Sequence, residues 1–166
     1  MTGDKPNGMN STPPRLKFLL IKPSTPEWRV SDEATGAGRT PMFRHSMLSS
    51  LYVAAAMPAF VKTRILDEEV EPIDYDIEAD LIGLSFMTCA APRAYQIADR
   101  FRKEKHKPVI AGGYHPTFLP EEVLYHVDAV CIGEAEGAVP RMLDDFLAGS
   151  LKRIYRGEPA DSPGRP

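Results

Sequence analysis

The chain has 166 residues, 43% of them hydrophobic and 26% charged, with a net charge of −3. That size suits one domain of roughly 100–200 residues, and the slight acidity gives no reason to expect nucleic acid or an anionic membrane as a partner. No apolar run approaches the roughly 18 residues of a membrane span, and the N-terminus has no apolar core of the secretory type, so a cytoplasmic location is expected.

Residues 1–14 and 157–166 are rich in Pro, Gly, Ser, Asn and charge, and read as disordered tails around a domain at 15–156. Leu16 to Ile21 is a short apolar run and predicts a first strand. A long polar loop follows, from Lys22 to about Arg44, with Gly36 and Gly38 inside it. Trp28 in that loop is either a packing anchor or a lid over a flat ligand. Ser46 to Met57 reads as a small-residue helix stopped by Pro58. Val61 to Leu66 alternates charge with apolar residues, as an edge strand does. Asp80 to Met87 is nearly all apolar, the pattern of a central strand covered on both faces. Pro92 suits a first helical position, and Ala94, Ile97, Ala98 and Phe101 then share one helix face. Val109 to Ala111 and Ala129 to Ile132 are two further buried strands. Between them lies a loop carrying His115-Pro116-Thr117, then a short helix. Met142 to Leu147 lies on a last helix that Gly149 can cap, and Lys152 to Tyr155 is a candidate edge strand.

Apolar runs separated by amphipathic helices define an α/β fold, a flavodoxin-like (Rossmann-like) doubly wound parallel five-stranded sheet with the expected order 2-1-3-4-5. Ligands bind such sheets at the C-terminal ends of the strands. A dinucleotide fingerprint is absent, because Gly36-Ala37-Gly38 comes late and lacks the third glycine. A P-loop is absent too, and no phosphoacceptor Asp ends the third strand. Cys89 and Cys131 read as buried thiols of a reducing compartment, too few and too far apart for a zinc or iron–sulfur site. What remains is Ser85, Met87 and Thr88 at one strand end and Gly112-Gly113 at its neighbour. A flat heteroaromatic group sliding in there would meet hydroxyls on one side and bare backbone on the other.

Each feature has a plainer reading beside it. Ser85 and Thr88 suit caps of the helix at Pro92, and Gly112-Gly113 suits a tight strand exit. His115 reads equally as a solvated loop histidine, Glu134 and Glu136 as first-turn acids favoured by the helix dipole, and His45, His106 and His126 as surface residues.

The phrases DLIGLSFMT with APRAYQIADRFR, VIAGGYHPTFLPEEVL, VDAVCIGEAE and DDFLAGSLKRIYRG resemble the N-terminal cobalamin-binding domain of radical S-adenosylmethionine (radical SAM) enzymes, from about Leu16 to Gly157. By that resemblance Ser85 and Thr88 hold the nucleotide tail of cobalamin, and Gly112-Gly113 leaves room for its base. Tyr114, His115, Pro116 and Thr117 line the pocket, while Gly133, Glu134 and Glu136 close its far side. The resemblance implies a cobalamin domain serving a methyltransferase or cyclase. Two departures qualify it. No Asp-x-His-x-x-Gly lies between Ile21 and Ser50, so cobalamin is expected base-off without a histidine ligand on cobalt. No Cys-x-x-x-Cys-x-x-Cys occurs, so an iron–sulfur cluster is expected on a radical SAM domain or chain other than this one. The chain alone is therefore not expected to turn over substrate. The alternatives are an interaction module docking on a separate catalytic chain without cobalamin, and a flavin or nucleotide binder at the same strand ends.

Overall fold

The computed structural model describes residues 16–25, 29–30, 40–41 and 48–157. Trp28, Gly36, Gly38, His45 and nearly all of both expected tails lie outside these residues. The first strand, β1 (Leu16–Lys22), is followed by a small antiparallel pair, β2 (Arg29–Val30) against β3 (Thr40–Pro41), inside the segment expected to be only loop. Helix α1 (Leu48–Ala55) leads to β4 (Val61–Asp67) and β5 (Leu81–Ser85). A 3-10 turn at Thr88–Ala90 runs into α2 (Ala91–Lys105), then β6 (Val109–Gly112), α3 (Tyr114–Phe118) and α4 (Pro120–Val123). The chain continues through β7 (Ala129–Gly133) and α5 (Ala135–Leu147) to β8 (Ile154–Gly157).

All six long-sheet strands are parallel, in the order β4-β1-β5-β6-β7-β8. Counted along this sheet alone, that is the expected 2-1-3-4-5 with one strand added. The sheet therefore has six strands rather than five. The sixth pairs Val130 with Ile154 and Gly133 with Gly157. It gives a weak sequence signal because Tyr155 is its only buried side chain. The Tyr155 hydroxyl donates to Asp145 Oδ2 at 2.8 Å and accepts from the Lys152 amide at 2.9 Å, which fixes β8 against α5.

Alternation along the central strands sorts the core into two layers, as a doubly wound sheet requires. Leu19, Ile21, Ile82, Leu84, Val109, Ala111 and Val130 face α2, where Ala94, Ile97, Ala98 and Phe101 are buried. Phe18, Leu20, Leu81, Ile110, Ala129 and Cys131 face α5, where Ala138, Val139, Met142 and Leu143 are buried. Helix α2 ends on His106 in the left-handed conformation (φ 51°), and Gly149 (φ +70°) follows α5, its amide on the Phe146 carbonyl. α5 begins well before Met142 and contains Pro140; Gly137 and Pro140 mask its periodicity in the sequence.

Two local expectations are corrected. His115-Pro116-Thr117 is not a loop: it lies in α3, which starts directly after Gly113. A five-residue helix with a central proline shows no apolar period to read. His126 is also more than a surface residue. Its ring stacks on Tyr95 with centroids 4.1 Å apart, and its Nδ1 sits 3.2 Å from Asp99 Oδ1.

Candidate functional site

The C-terminal ends of β1, β5, β6 and β7 open on one side of the sheet. Their chains diverge there, and a cavity of about 750 Å³ lies between them, within the roughly 300–1,000 Å³ usual for small-molecule sites. β1 contributes Lys22, with Pro23 and Thr25 beyond it, and β4 leads to Glu69. β5 leads to Ser85, Phe86 and Met87, with Cys89 and Ala90 close behind. Gly113, Tyr114, Thr117 and Phe118 follow β6, and Gly133, Glu134, Ala135 and Glu136 follow β7. Leu48, Ser49, Tyr52 and Val53 of α1 form the remaining wall. A narrower slot of about 50 Å³, sharing Val53, Ser85, Gly113, Gly133 and Ala135 with the cavity, runs between the sheet and the α1/α5 layer.

The two glycines after β6 differ in what holds them bare. Gly113 has φ +100°, and a Cβ there would sit 2.9 Å from the Phe86 carbonyl oxygen, so its own backbone excludes a side chain. Gly112 is under neither constraint. A Cβ there would meet only Cys131, its Cβ at 3.5 Å and its carbonyl oxygen at 3.8 Å, both ordinary contacts. The fold accepts a side chain at Gly112, yet a longer one would fill the slot that Gly112 lines.

Hydrogen bonds brace these strand ends. Phe86 donates its amide to the Gly112 carbonyl at 3.2 Å, and His115 donates its amide to the Phe86 carbonyl at 3.3 Å. The Thr117 hydroxyl accepts the Gly133 amide at 3.2 Å, tying α3 to the end of β7. Beyond β7, Gly157 passes so close to Glu134 that a Cβ on it would lie 1.6 Å from the Glu134 carbonyl oxygen. Glu134 caps α5 with its backbone and Glu136 lies in its first turn, where the helix dipole favours acids.

Eight of the sequence-predicted residues therefore line the cavity: Ser85, Met87, Gly113, Tyr114, Thr117, Gly133, Glu134 and Glu136. Gly112 lines the slot. Thr88, His115 and Pro116 are not among these walls. His115 and Pro116 are buried, and the Thr88 hydroxyl turns to His115 instead of capping α2, whose N-cap is Ala90. The His115 ring is 3% exposed, with Nδ1 3.2 Å from Thr88 Oγ1 and Nε2 2.8 Å from Tyr95 Oη. The Tyr95 phenol donates its one proton to Glu122 Oε1 at 2.7 Å. Nε2–H of His115 must then donate to Tyr95, which leaves Nδ1 facing the Thr88 hydroxyl. Burial, and after it the Glu122 carboxylate, pushes the Tyr95 phenol far above its usual pKa, so the phenol keeps its proton. Cys131 lines the slot as a thiol, since burial pushes its pKa up to about 11.

Sequence reasoning did not find the wall made by the end of β4. Lys22 Nζ pairs with both oxygens of Asp67 at 3.0 and 3.1 Å. Glu68 Oε2 accepts the Ser24 amide at 2.9 Å, and Glu69 Oε1 accepts the Thr25 amide at 2.8 Å. Arg93 of α2 holds Glu68 in turn, its Nε 2.9 Å from Oε1. Burial pushes the Glu68 carboxyl up, but Arg93 and the Ser24 amide outweigh it, and the carboxyl is held below its ordinary value. Three consecutive acids read in a sequence as a solvated turn, and nothing in the run itself signals these partners.

A parallel doubly wound sheet with a roomy, mostly apolar cavity and a bare slot at its strand ends defines a small-molecule-binding domain of the flavodoxin-like class. Comparison narrows the class. The chain belongs to the B12-binding domain family, whose model matches residues 36–143. It is 41% identical over 92 residues to a bacteriochlorophyllide d C-8(2)-methyltransferase of Chlorobaculum tepidum, a match covering 55% of this chain and 20% of that protein. It is 31% identical over 144 residues to a bacteriochlorophyllide d C-12(1)-methyltransferase of the same organism, covering 86% of this chain and 30% of that one. The matches thus span less than a third of the length of these curated relatives. A solved N-terminal domain of a hypothetical protein from Thermotoga maritima is 26% identical, with a TM-score of 0.44, over 70% of this chain and 94% of that one.

Proposed function

We propose that residues 15–156 bind cobalamin base-off, with no histidine on cobalt, for a radical SAM methyltransferase or cyclase whose iron–sulfur domain this chain does not contain. The observation that carries the reading is Gly112: the fold tolerates a Cβ there, yet the position lines the slot and carries no side chain. The residues present fit the group. Gly112 and Gly113 leave bare backbone at the slot where the nucleotide base would enter once the slot widens, and Ser85 offers a hydroxyl beside them. Tyr114, Thr117, Gly133, Glu134 and Glu136 would hold the rest, the two carboxylates accepting from the corrin's amide side chains. When bound, cobalamin supplies methyl-transfer chemistry. The chain's own part is to bind the cofactor, orient it and exclude competing ligands. The methyltransferase setting follows the named activity of the two relatives, and the radical SAM setting follows the sequence motifs. Among the described residues no helix is long and apolar enough to cross a membrane, in keeping with action in the cytoplasm.

The test compares the unsubstituted chain with Gly112→Leu after incubation with hydroxocobalamin and desalting. The unsubstituted chain is expected to keep an equimolar amount of cobalamin, and the variant to keep none while matching its circular dichroism. Cobalamin kept by a folded Gly112→Leu variant would contradict the reading.

A further inference from the structure

The chain leaving β1 faces a problem of its own. At Lys22 it departs from the sheet, so the amides of Ser24 and Thr25 have no neighbouring strand to bond to. Ser24 is nonetheless buried, at 7% exposure, and Pro23 and Thr25 stand in the cavity wall. Buried amides require acceptors. Here two side chains from another strand's end supply them: Glu68 for Ser24 and Glu69 for Thr25, at 2.9 and 2.8 Å. Asp67 takes the Lys22 ammonium on both oxygens and accepts the Glu69 amide at 3.0 Å. Three adjacent carboxylates repel one another, a cost the fold has no reason to carry at a plain surface turn. Each is turned to a different partner, and those partners belong to one short segment, residues 22–25, of which Lys22, Pro23 and Thr25 line the cavity.

We infer that Asp67, Glu68 and Glu69 are positioning residues of the ligand site, clamping residues 22–25 into the cavity wall so that a fixed stretch of backbone faces the cofactor. The inference rests on the cobalamin reading and extends it. The segment after β1 is where the missing Asp-x-His-x-x-Gly motif would have placed a histidine. In this chain, β4 orders the same segment from outside through its carboxylates. Arg93 sets Glu68 from the start of α2, so the clamp joins β1, β4 and α2 at one corner of the site. Glu69 does two jobs, since it also lines the cavity itself.

The test uses the full chain with Glu69→Ala and Glu69→Gln. Without ligand, amide hydrogen exchange at Thr25 is expected to be slow in the unsubstituted chain and fast in Glu69→Ala. Glu69→Gln, which keeps an acceptor oxygen, should restore the slow exchange. With hydroxocobalamin, Glu69→Ala should bind on the order of tenfold more weakly, as loss of a hydrogen bond to a charged group implies. Glu69→Gln should recover most of that affinity, at an unfolding midpoint close to the unsubstituted chain's. Equal affinity in Glu69→Ala and the unsubstituted chain would overturn the inference while leaving the cobalamin reading intact. No retention by the unsubstituted chain would overturn both. Should Glu69→Ala fail to fold, exchange at Ser24 in Glu68→Ala decides: unchanged protection and affinity would sink the clamp, and faster exchange with weaker binding would support it.

Discussion

Gly112 and Gly113 are neighbours with different physical reasons to be glycine, and substitution separates them. Gly113→Ala places a Cβ 2.9 Å from a carbonyl oxygen at φ +100°, and should cost about 1–3 kcal/mol of stability, read from the urea midpoint. Gly112→Ala should leave that midpoint nearly unchanged and act on cobalamin retention instead. His115 is the third informative residue. Its ring is enclosed by Phe86, Tyr95 and Thr88, and His115→Ala leaves the Tyr95 phenol and the Thr88 hydroxyl short of a partner. A loss of about 1–3 kcal/mol is expected in denaturant unfolding, and unchanged stability would show that the relay contributes nothing. The sequence placed His115 beside the glycines but could not assign it to this relay. Tyr95 and Glu122 lie 20 and 7 positions away, on α2 and α4, and only the crossover packing brings them to the ring.

Among the elements, α1 is the slot wall with the most exposed apolar surface: Leu48 and Leu51 are 55% exposed and Tyr52 57%. The slot is too narrow for a bicyclic base as it stands, so loading with hydroxocobalamin should widen it by shifting α1 rather than the sheet. Hydrogen exchange should then slow across α1 on loading and stay constant in β5 and β6. Equal changes in both would place the opening elsewhere. β8 matters through its last residue, since Gly157→Ala would press on the Glu134 peptide and should lower the melting temperature measured by circular dichroism. The corner of β1, β4 and α2 carries a pH signature. Because Glu68 is held below its ordinary value in the folded chain, its contribution is fully present above about pH 4.3 and is lost as pH falls further. Glu68→Gln should therefore be less stable at neutral pH and show a shallower loss of stability in acid. The central strands were legible because burial on both faces makes β5, β6 and β7 continuous apolar runs. β8 was legible only as a candidate edge strand at Lys152–Tyr155, since one buried side chain gives little pattern, and α3 and the β4 acids were not, since a helix with a central proline and a charged turn lack periodicity.

At the scale of the molecule, the alternation of strands and helices dictated a doubly wound parallel sheet, and its strand order then fixed which ends meet around the cavity. Most of the candidate site was legible for that reason: Ser85, Met87, Gly112, Gly113 and Gly133 stand at the ends of adjacent strands, so the topology alone brings them together. The wall facing them was not legible, because it depends on where α1 and residues 22–25 lie beside the strand ends. We propose that this cavity takes cobalamin without a histidine on cobalt. An ultraviolet–visible titration of the purified chain with hydroxocobalamin at neutral pH tests it most directly. The expected result is saturation at equimolar cobalamin with a base-off spectrum that survives desalting. A histidine-ligated or base-on spectrum, or free cobalamin left behind by a folded chain, would contradict it.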